Sequence, residues 1–242
     1  ETIIAPDYKH NSKLYTSFYN TLSSQNKEVT YPEVGQEYEF GEGSFTVLGP
    51  TQIRDDSNNN SVVVRLDYGD TSFLFTGDAE SKEEKDIIAA NEDLYCDVLS
   101  VGHHGSASST SWDFLEAVLP EYAVISCGVN NSYGHPDPDT IEKLESIEAQ
   151  IFRTDLQGNI IAISDGETIT WNNVPSNGEV LYAADFVSVK EEPNDTSSTV
   201  GELGPGNQIQ VLNRNDNDWA TIVFNGATTY IPSSYLSDID PQ

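Results

Sequence analysis

Basic side chains are scarce in this sequence. Eleven Lys and Arg residues stand against forty Asp and Glu residues, which gives a formal net charge of −29 at pH 7. A field of that sign repels phosphate backbones, so tight binding to nucleic acid without sequence preference is disfavoured. A nuclease is not excluded, because bound divalent cations can reverse the local sign at a site.

Signals of a membrane or leader segment are also missing. No run approaches the roughly 18 to 20 apolar residues that cross a membrane, and residues 1–5 read as a strand rather than as a signal peptide. The sequence contains no methionine, so we expect translation to begin upstream of Glu1. The low Lys and Arg content, together with many Asn, Ser, Thr and Asp residues, predicts a secreted or surface protein.

Cysteine is rare as well. The two cysteines, Cys96 and Cys127, both lie beside apolar residues, so we expect them to be buried, reduced and inert. Whether they form a disulfide is left open, because that bond requires a geometry that the sequence does not show. Neither cysteine has the CxxC spacing of a thiolate metal site.

Two regions follow from the pattern of strands and helices. Over residues 1–174 short apolar strands alternate with helical patterns, which predicts an α/β layered domain. Residues 175–180 are turn-rich and predict a linker. Over residues 181–242 helical periodicity disappears, and closely spaced strands predict a small β-barrel or sandwich.

Local signals predict where individual elements begin and turn. Ser12 is the predicted N-cap of an amphipathic helix whose apolar face carries Leu14, Phe18 and Leu22. Ser81 with Glu84 forms a predicted capping box. Asp139 is the predicted N-cap of a later helix. The strands on either side of Gly69 and Asp70 predict a hairpin.

Three polar loops at strand ends carry carboxylate or imidazole groups. They are FLFTGD, ending in Asp78; VLSVGHHGS, with His103 and His104; and YGHPDP, with His135. Borderline divalent ions such as zinc and manganese prefer these ligand types. Taken singly, Asp78 and His135 could be turn residues and the histidine pair could be solvated. Together, in this order on alternating strands, they predict a metal site.

Five segments agree in order and spacing with one known family: NNNSVVVRLDYG, FLFTGD, VGHHGSASST, ISCGVNNSYGHPDPDTIEKL and FRTDLQGNI. Over about residues 1–171 the chain resembles the metallo-β-lactamase-fold domain of the ComEC competence-protein family. The resemblance implies a four-layer αββα sandwich with metals at one edge. It also implies a hydrolase, for which phosphodiester bonds of DNA are the proposed target.

The resemblance implies roles for single residues. Asp78 would bridge two divalent ions, zinc or manganese, and one of His103 and His104, with His103 favoured, would be a terminal ligand. His135 would lie at the mouth of the site, where it would hold or protonate the leaving group. We assign two candidate substrate-binding residues, Ser106 and Asn131.

The sequence departs from the family at two places. The main metal motif of these domains, HxHxDH or a close variant, is not found in it, so we expect the chain to be the C-terminal portion of the fold with that motif upstream. Relatives often carry a ligand histidine at or near the position of Gly49. By itself, the chain is therefore expected to supply part of a dinuclear site.

The C-terminal region resembles a bacterial SH3-type domain. The resemblance is carried by FVSVKEEPNDTSSTVGELGPGNQIQVL and NDNDWATIVFNGATTYIPSSYL, in which Trp219 and Tyr230 are expected to pack in the core. Such modules commonly act as cell-wall or peptide anchors, so peptidoglycan is the implied partner.

Two functions follow as hypotheses. The first is a secreted or surface metallohydrolase that cleaves DNA, nucleotides or another phosphodiester with metal-activated water, tethered by its C-terminal module. The second is a catalytically degenerate fold that serves as a binding or scaffold module. Loose calcium binding at the Asp- and Asn-rich stretches 194–196 and 215–218 has less support, because they lack the spaced glutamate of an EF-hand loop.

Overall fold

The computed structural model describes residues 2–91, 93–173, 175–176, 179–214, 218–225 and 227–239. Its backbone contacts divide the chain into two compact units: residues 1–120 with 165–168, and residues 121–164 with 169–242. The predicted linker at 175–180 falls within the second unit. Its residues 177–178 lie outside the described residues, as do 215–217 of the second Asn-rich stretch, and the domain boundary stays a prediction.

Five paired strands form the core of the first unit: β1 (Glu37–Phe40), β2 (Gly43–Gly49), β3 (Val63–Tyr68), β4 (Thr71–Phe75) and β5 (Val98–Ser100). β1 to β4 pair antiparallel in chain order, and β5 runs parallel to β4. Each of the last three strands contributes a fully buried side chain: Val63 in β3, Leu74 in β4 and Leu99 in β5. The predicted hairpin is confirmed, and Gly69 takes the left-handed φ of 57° that its tight turn requires.

Three helices complete the first unit: α1 (Lys13–Ser24), α2 (Ser81–Ala90) and α3 (Trp112–Val118). The predicted cap of α1 is confirmed, because the Ser12 hydroxyl accepts the N–H of Tyr15 at 3.1 Å. The predicted apolar face of α1 is buried only at Leu22, while Leu14 is 83% exposed. Helix formation therefore follows the sequence pattern, but burial of that face does not.

The predicted capping box at the start of α2 is wrong. Glu80 is the N-cap, and its side chain makes no capping hydrogen bond. Asn59 replaces that bond from outside the helix, since its Oδ1 accepts the N–H groups of Glu80 and Glu83, each at 3.2 Å. Glu84 is thereby released from capping and bonds to the chain ahead of α3, where its carboxylate accepts the N–H groups of Thr110 and Ser111.

The second unit begins with parallel strands β6 (Tyr122–Ile125) and β7 (Gln150–Arg153), joined through α4 (Pro138–Ser146). A short helix and a hairpin follow: α5 (Thr154–Gln157), β8 (Ala162–Ser164) and β9 (Ile169–Trp171). The predicted Asp139 cap of α4 is wrong by two residues. Asp137 is the N-cap, and its carboxylate accepts the Asp139 N–H at 2.9 Å. The shift follows from Pro138, whose fixed φ suits the first helical position.

An all-β sheet forms the rest of the second unit. Its strands are β10 (Glu179–Ala183), β11 (Val187–Lys190), β12 (Thr199–Leu203), β13 (Gln208–Arg214), β14 (Trp219–Phe224), β15 (Ala227–Pro232) and β16 (Leu236–Ser237). They lie in the order β12-β11-β15-β14-β13-β10-β16. Val189, Ile209, Ile222 and Ile231 are central members of its buried apolar cluster. The predicted fold class is confirmed: a mixed α/β region and a separate all-β sheet.

Ser176 ties the predicted linker to its surroundings within the second unit. It is buried, and its amide and hydroxyl both donate to the Ile151 carbonyl, at 2.5 and 2.9 Å. The Gln210 side chain donates to the Ser176 carbonyl in turn. This part of the linker is therefore packed between β7 and β13.

Both cysteines are unpaired thiols. Cys96 is buried as predicted, and its burial raises the pKa of its thiol to about 12. Cys127 is partly exposed, and desolvation, followed by the neighbouring Asp155 carboxylate, raises the pKa of its thiol to about 11. A raised pKa keeps the thiol protonated, so both groups are poor nucleophiles at neutral pH.

Candidate metal centre

Asp78 lies in the turn that follows β4. Gly77 takes a φ of 56° and lies against Ser61, so close that a Cβ there would be 3.1 Å from the Ser61 hydroxyl oxygen. The same hydroxyl accepts the N–H of Asp78 at 3.0 Å. The turn is therefore held by a residue 17 positions earlier in the chain. These contacts leave the Asp78 carboxylate 43% exposed.

The two histidines occupy a tight turn, Gly102–Gly105, that we call the histidine turn. Both residues have left-handed backbones, with φ of 49° at His103 and 59° at His104. Left-handed residues other than glycine cost about 1 to 3 kcal/mol each and persist only where surrounding contacts hold them. One such contact is the hydrogen bond from the His103 N–H to the Gly77 carbonyl at 2.9 Å, which ties the histidine turn to the Asp78 turn.

Each histidine ring has a different acidic neighbour. His104 Nε2 is 3.5 Å from Asp78 Oδ1, whereas His103 Nδ1 is 3.4 Å from Glu80 Oε1. The structure therefore brings His104, the less favoured histidine of the sequence interpretation, next to Asp78. The assignment of His103 as the terminal ligand stays a prediction.

Glu80 is a site residue that the sequence interpretation missed. Its carboxylate accepts hydrogen bonds from the Ser108 hydroxyl at 3.1 Å and from the Asn58 amide at 3.2 Å. Ser108 also lies 3.0 Å from the hydroxyl of Ser106, the predicted substrate-binding residue. The available signal was the spacing of Glu80 two residues after Asp78, in the same loop.

His135 and Asn131 lie in the second unit, in the loop before α4. Asn131 organises this loop: its amide nitrogen donates to the carbonyls of Gly128 and His135, at 3.0 and 2.5 Å, and its Oδ1 accepts the His135 N–H at 3.0 Å. The ring of Tyr133 stacks on that of His135 with 5.8 Å between centroids. Asn131 thus fixes the backbone of His135, and its predicted contact with substrate stays a prediction.

Comparison with known families identifies both regions of the chain. The family described as "Metallo-beta-lactamase superfamily" matches residues 1–129, which is more than half of the 242 residues. The chain belongs to the metallo-β-lactamase superfamily. The family described as "Bacterial SH3 domain" matches residues 185–237.

Three relatives match about half of the chain. ComE operon protein 3 of Bacillus subtilis is 38% identical over 117 residues, which are 48% of this chain and 15% of that protein. Competence protein ComA of Neisseria gonorrhoeae is 38% identical over 125 residues, 51% of this chain and 18% of that protein. Recombination protein 2 of Haemophilus influenzae is 36% identical over 133 residues, 54% of this chain and 16% of that protein. The matched part of the chain spans less than a fifth of each relative's length.

Metallo-β-lactamase proteins typically bind divalent metals, and the Asp78–His104 pair fits one. Two ligands bound at about 2.1 Å to one tetrahedral ion are about 3.4 Å apart. The observed separation of 3.5 Å between Asp78 Oδ1 and His104 Nε2 agrees with that value. Over the described ranges, however, no three His, Cys, Asp or Glu side chains converge closely enough to hold a metal. The pair is therefore part of a site.

At position 49, where the family resemblance leads us to expect a ligand histidine, neighbouring side chains occupy the space beside the backbone. A Cβ on Gly49 would lie 3.1 Å from the Glu83 carboxylate, 3.3 Å from Ile87 and 3.4 Å from Val63. The α2 side chains therefore occupy the space that a side chain at 49 would need. In this superfamily member, glycine at 49 is explained by close packing of β2 against α2.

Among the residues that the structure describes, no helix combines the length and the apolar character needed to cross a membrane.

Proposed function

We propose that this chain contributes to a metal-dependent hydrolase that cleaves phosphodiester bonds of DNA or nucleotides. The observation that carries the proposal is the pair of neighbouring turns that bring Asp78 Oδ1 within 3.5 Å of His104 Nε2, at a separation suited to one divalent ion. Two relatives bear names that refer to competence and recombination, which supports DNA as the substrate class.

Asp78, His103 and His104 are the proposed metal ligands. Carboxylate oxygen and imidazole nitrogen suit borderline divalent ions, so zinc and manganese are the proposed metals, with two ions in the complete site. When bound, such an ion supplies Lewis-acid polarisation of a phosphoryl oxygen and lowers the pKa of its water. The positive charge of the ions also offsets, at this one place, the repulsion between DNA and a chain of net charge −29.

His135 is the proposed catalytic residue that gives a proton to the leaving oxygen. The proposal is supported by the rigid placement of its backbone, since both its N–H and its carbonyl bond to the Asn131 side chain. A fixed backbone limits the positions that the imidazole can take, which general acid catalysis requires. Ser106 and Asn131 remain proposed substrate contacts.

The proposed location is outside the cell or at the bacterial cell surface. The acidic composition and the bacterial SH3 match at 185–237 support it. The all-β sheet would hold the hydrolase on peptidoglycan, which can be tested by sedimentation of the chain with purified cell walls.

The test is metal analysis of the purified full-length protein, followed by assays with DNA, nucleotides and a phosphodiester reporter in manganese or zinc. Asp78→Ala and His103→Ala should lower bound metal and reduce activity at least tenfold. His10→Ala is the matched control, because His10 is exposed and its ring accepts a local hydrogen bond from the N–H of Ser12. Undetectable metal in the unaltered full-length protein, or activity unchanged in Asp78→Ala, would refute the proposal.

A degenerate binding module is the second candidate. It is favoured because, among the described residues, His, Cys, Asp and Glu side chains do not form a group of three or more that could hold a metal. It predicts no stoichiometric divalent metal and an unchanged fold in His103→Ala, so the same metal analysis separates it from the hydrolase.

A further inference from the structure

The Glu80 carboxylate accepts several hydrogen bonds from residues outside α2. Oε1 accepts from the Ser108 hydroxyl at 3.1 Å and from the Asn58 amide at 3.2 Å, and Oε2 accepts from the Asn59 amide at 3.3 Å. The side chain makes no capping bond to α2, although Glu80 is the N-cap residue. Its hydrogen bonds therefore link Asn58 and Asn59 to Ser108, and its Oε1 also lies 3.4 Å from His103 Nδ1 in the histidine turn.

These contacts favour a proton on Nδ1 of His103 over one on Nε2. An ionised carboxylate only accepts hydrogen bonds, and a serine hydroxyl has a single proton to donate. Because the Ser108 proton is directed to Glu80, the Ser108 oxygen can only accept at its other neighbours. His103 Nδ1 lies 3.2 Å from that oxygen and 3.4 Å from Glu80 Oε1, so a proton on Nδ1 satisfies both contacts.

The backbone of the histidine turn gives an independent reason for an anchor on this ring. His103 and His104 are consecutive left-handed residues, and such a conformation persists only where surrounding contacts hold it. The backbone bond from His103 to Gly77 holds the main chain, whereas the ring is held by Glu80 and Ser108. The strained turn therefore presents His103 with one ring nitrogen already committed.

We propose that Glu80 is a positioning residue for His103: it fixes the proton on Nδ1 and so leaves the lone pair on Nε2 to bind a divalent ion. The part concerning metal rests on the proposed function, whereas the part concerning the proton does not. A metal-ligating histidine that donates its other ring N–H to a carboxylate is held in orientation and gains basicity. Glu80 and Ser108 supply that arrangement through two linked hydrogen bonds.

The first experiment reads the protonated nitrogen directly in the metal-free 242-residue chain. Long-range ¹H–¹⁵N correlation spectra should show the neutral His103 ring with its proton on Nδ1. Glu80→Ala should give a mixture of both tautomers. Glu80→Gln should retain the Nδ1 proton, because its amide oxygen can still accept from Ser108 and Asn58. Glu116→Ala, which removes an exposed carboxylate on α3, should leave the spectrum unchanged. A proton on Nε2 in the unaltered chain, or the same tautomer in Glu80→Ala, would overturn the proposal.

The second experiment measures affinity for Mn²⁺ and Zn²⁺ by calorimetric titration. Loss of a supporting carboxylate costs about 10- to 100-fold in metal affinity, so Glu80→Ala should bind that much more weakly, and Glu80→Gln should fall within a few-fold of the unaltered chain. Absence of metal binding by the unaltered full-length protein would refute the proposed function and the metal part of this proposal, and the tautomer result would still stand. Tight binding that is unchanged in Glu80→Ala would refute the positioning role alone.

Discussion

Replacement of Glu84 by alanine should destabilise the first unit more than replacement of an exposed helical glutamate would. The Glu84 side chain is buried, and its carboxylate accepts the N–H of Thr110 and, at 2.9 Å, the N–H of Ser111. Thr110 is itself buried and left-handed, with φ of 56°. The carboxylate of α2 therefore holds a strained residue in place just before α3 begins.

The magnitude follows from these two bonds. A hydrogen bond to a charged group contributes about 1.5 to 3 kcal/mol, so Glu84→Ala should lower the free energy of unfolding by about 3 to 6 kcal/mol. Glu84→Gln keeps one acceptor oxygen and turns an amide N–H toward the other donor, so the loss should be about half as large. Glu116→Ala, on the exposed face of α3, should change stability by no more than about 0.5 kcal/mol.

The assay is urea denaturation followed by circular dichroism, with amide hydrogen exchange at Thr110 and Ser111 as the local measurement. In Glu84→Ala, hydrogen exchange at these two amides should become faster than exchange through global unfolding alone would allow, because both amides have lost their acceptor and can open locally. A loss of stability below about 1 kcal/mol, with exchange at both amides unchanged, would refute this account of the carboxylate.

Four further outcomes are expected. Alkylation of Cys127 at pH 8 should be about 100-fold slower than that of a cysteine of ordinary pKa, because desolvation raises the pKa of its thiol from 9.0 to about 11; an ordinary rate would contradict that pKa. Burial raises the pKa of the Glu83 carboxyl, so the folded chain binds more protons there than the unfolded chain, and this contribution to stability falls as the pH rises. The stability of Glu83→Gln relative to the unaltered chain should therefore rise as the pH is raised above about 4, and denaturation curves that show no such rise would disprove the sign. Gly49→His should cost about 1 to 3 kcal/mol through overpacking against α2, and should not increase bound metal in elemental analysis. Raising ionic strength from about 0.01 to 0.15 M shortens the Debye length from about 30 to 8 Å. If DNA is cleaved as proposed, its KM should fall as repulsion from the −29 charge is screened; a KM that rises with salt would show that basic contacts dominate.

Local hydrogen bonds were the features that could be predicted most directly. Ser12 caps α1 through a bond to the residue three positions on, and Gly69 turns a hairpin between neighbouring strands. The division into an α/β region and an all-β region depends on the period of the apolar pattern, which is equally local. Such interactions are encoded within a few residues, so their donors, acceptors and spacing can be read along the chain.

Prediction failed where a distant residue competed with a local one. Ser81 and Glu84 have the spacing of a capping box, but Asn59 supplies the acceptor for α2 from 21 and 24 positions away. Leu14 has the spacing of a buried helical position, yet it is exposed, because burial requires a neighbouring surface and not only a periodic sequence. In both cases the outcome depends on what the rest of the chain places next to the helix.

The sequence by itself determined the two regions, the superfamily, and the loops in which Asp78, His103 and His104 lie. The tertiary structure decided which of these groups are neighbours: it set Asp78 beside His104, and it set Glu80 beside His103. The physical reason is that β4 and β5 are adjacent parallel strands, so the turns that follow them meet at the same edge of the sheet. Ring orientation and pairing at that edge then depend on the strained histidine turn and on the Ser108 hydroxyl, and these contacts exist only once the chain has folded.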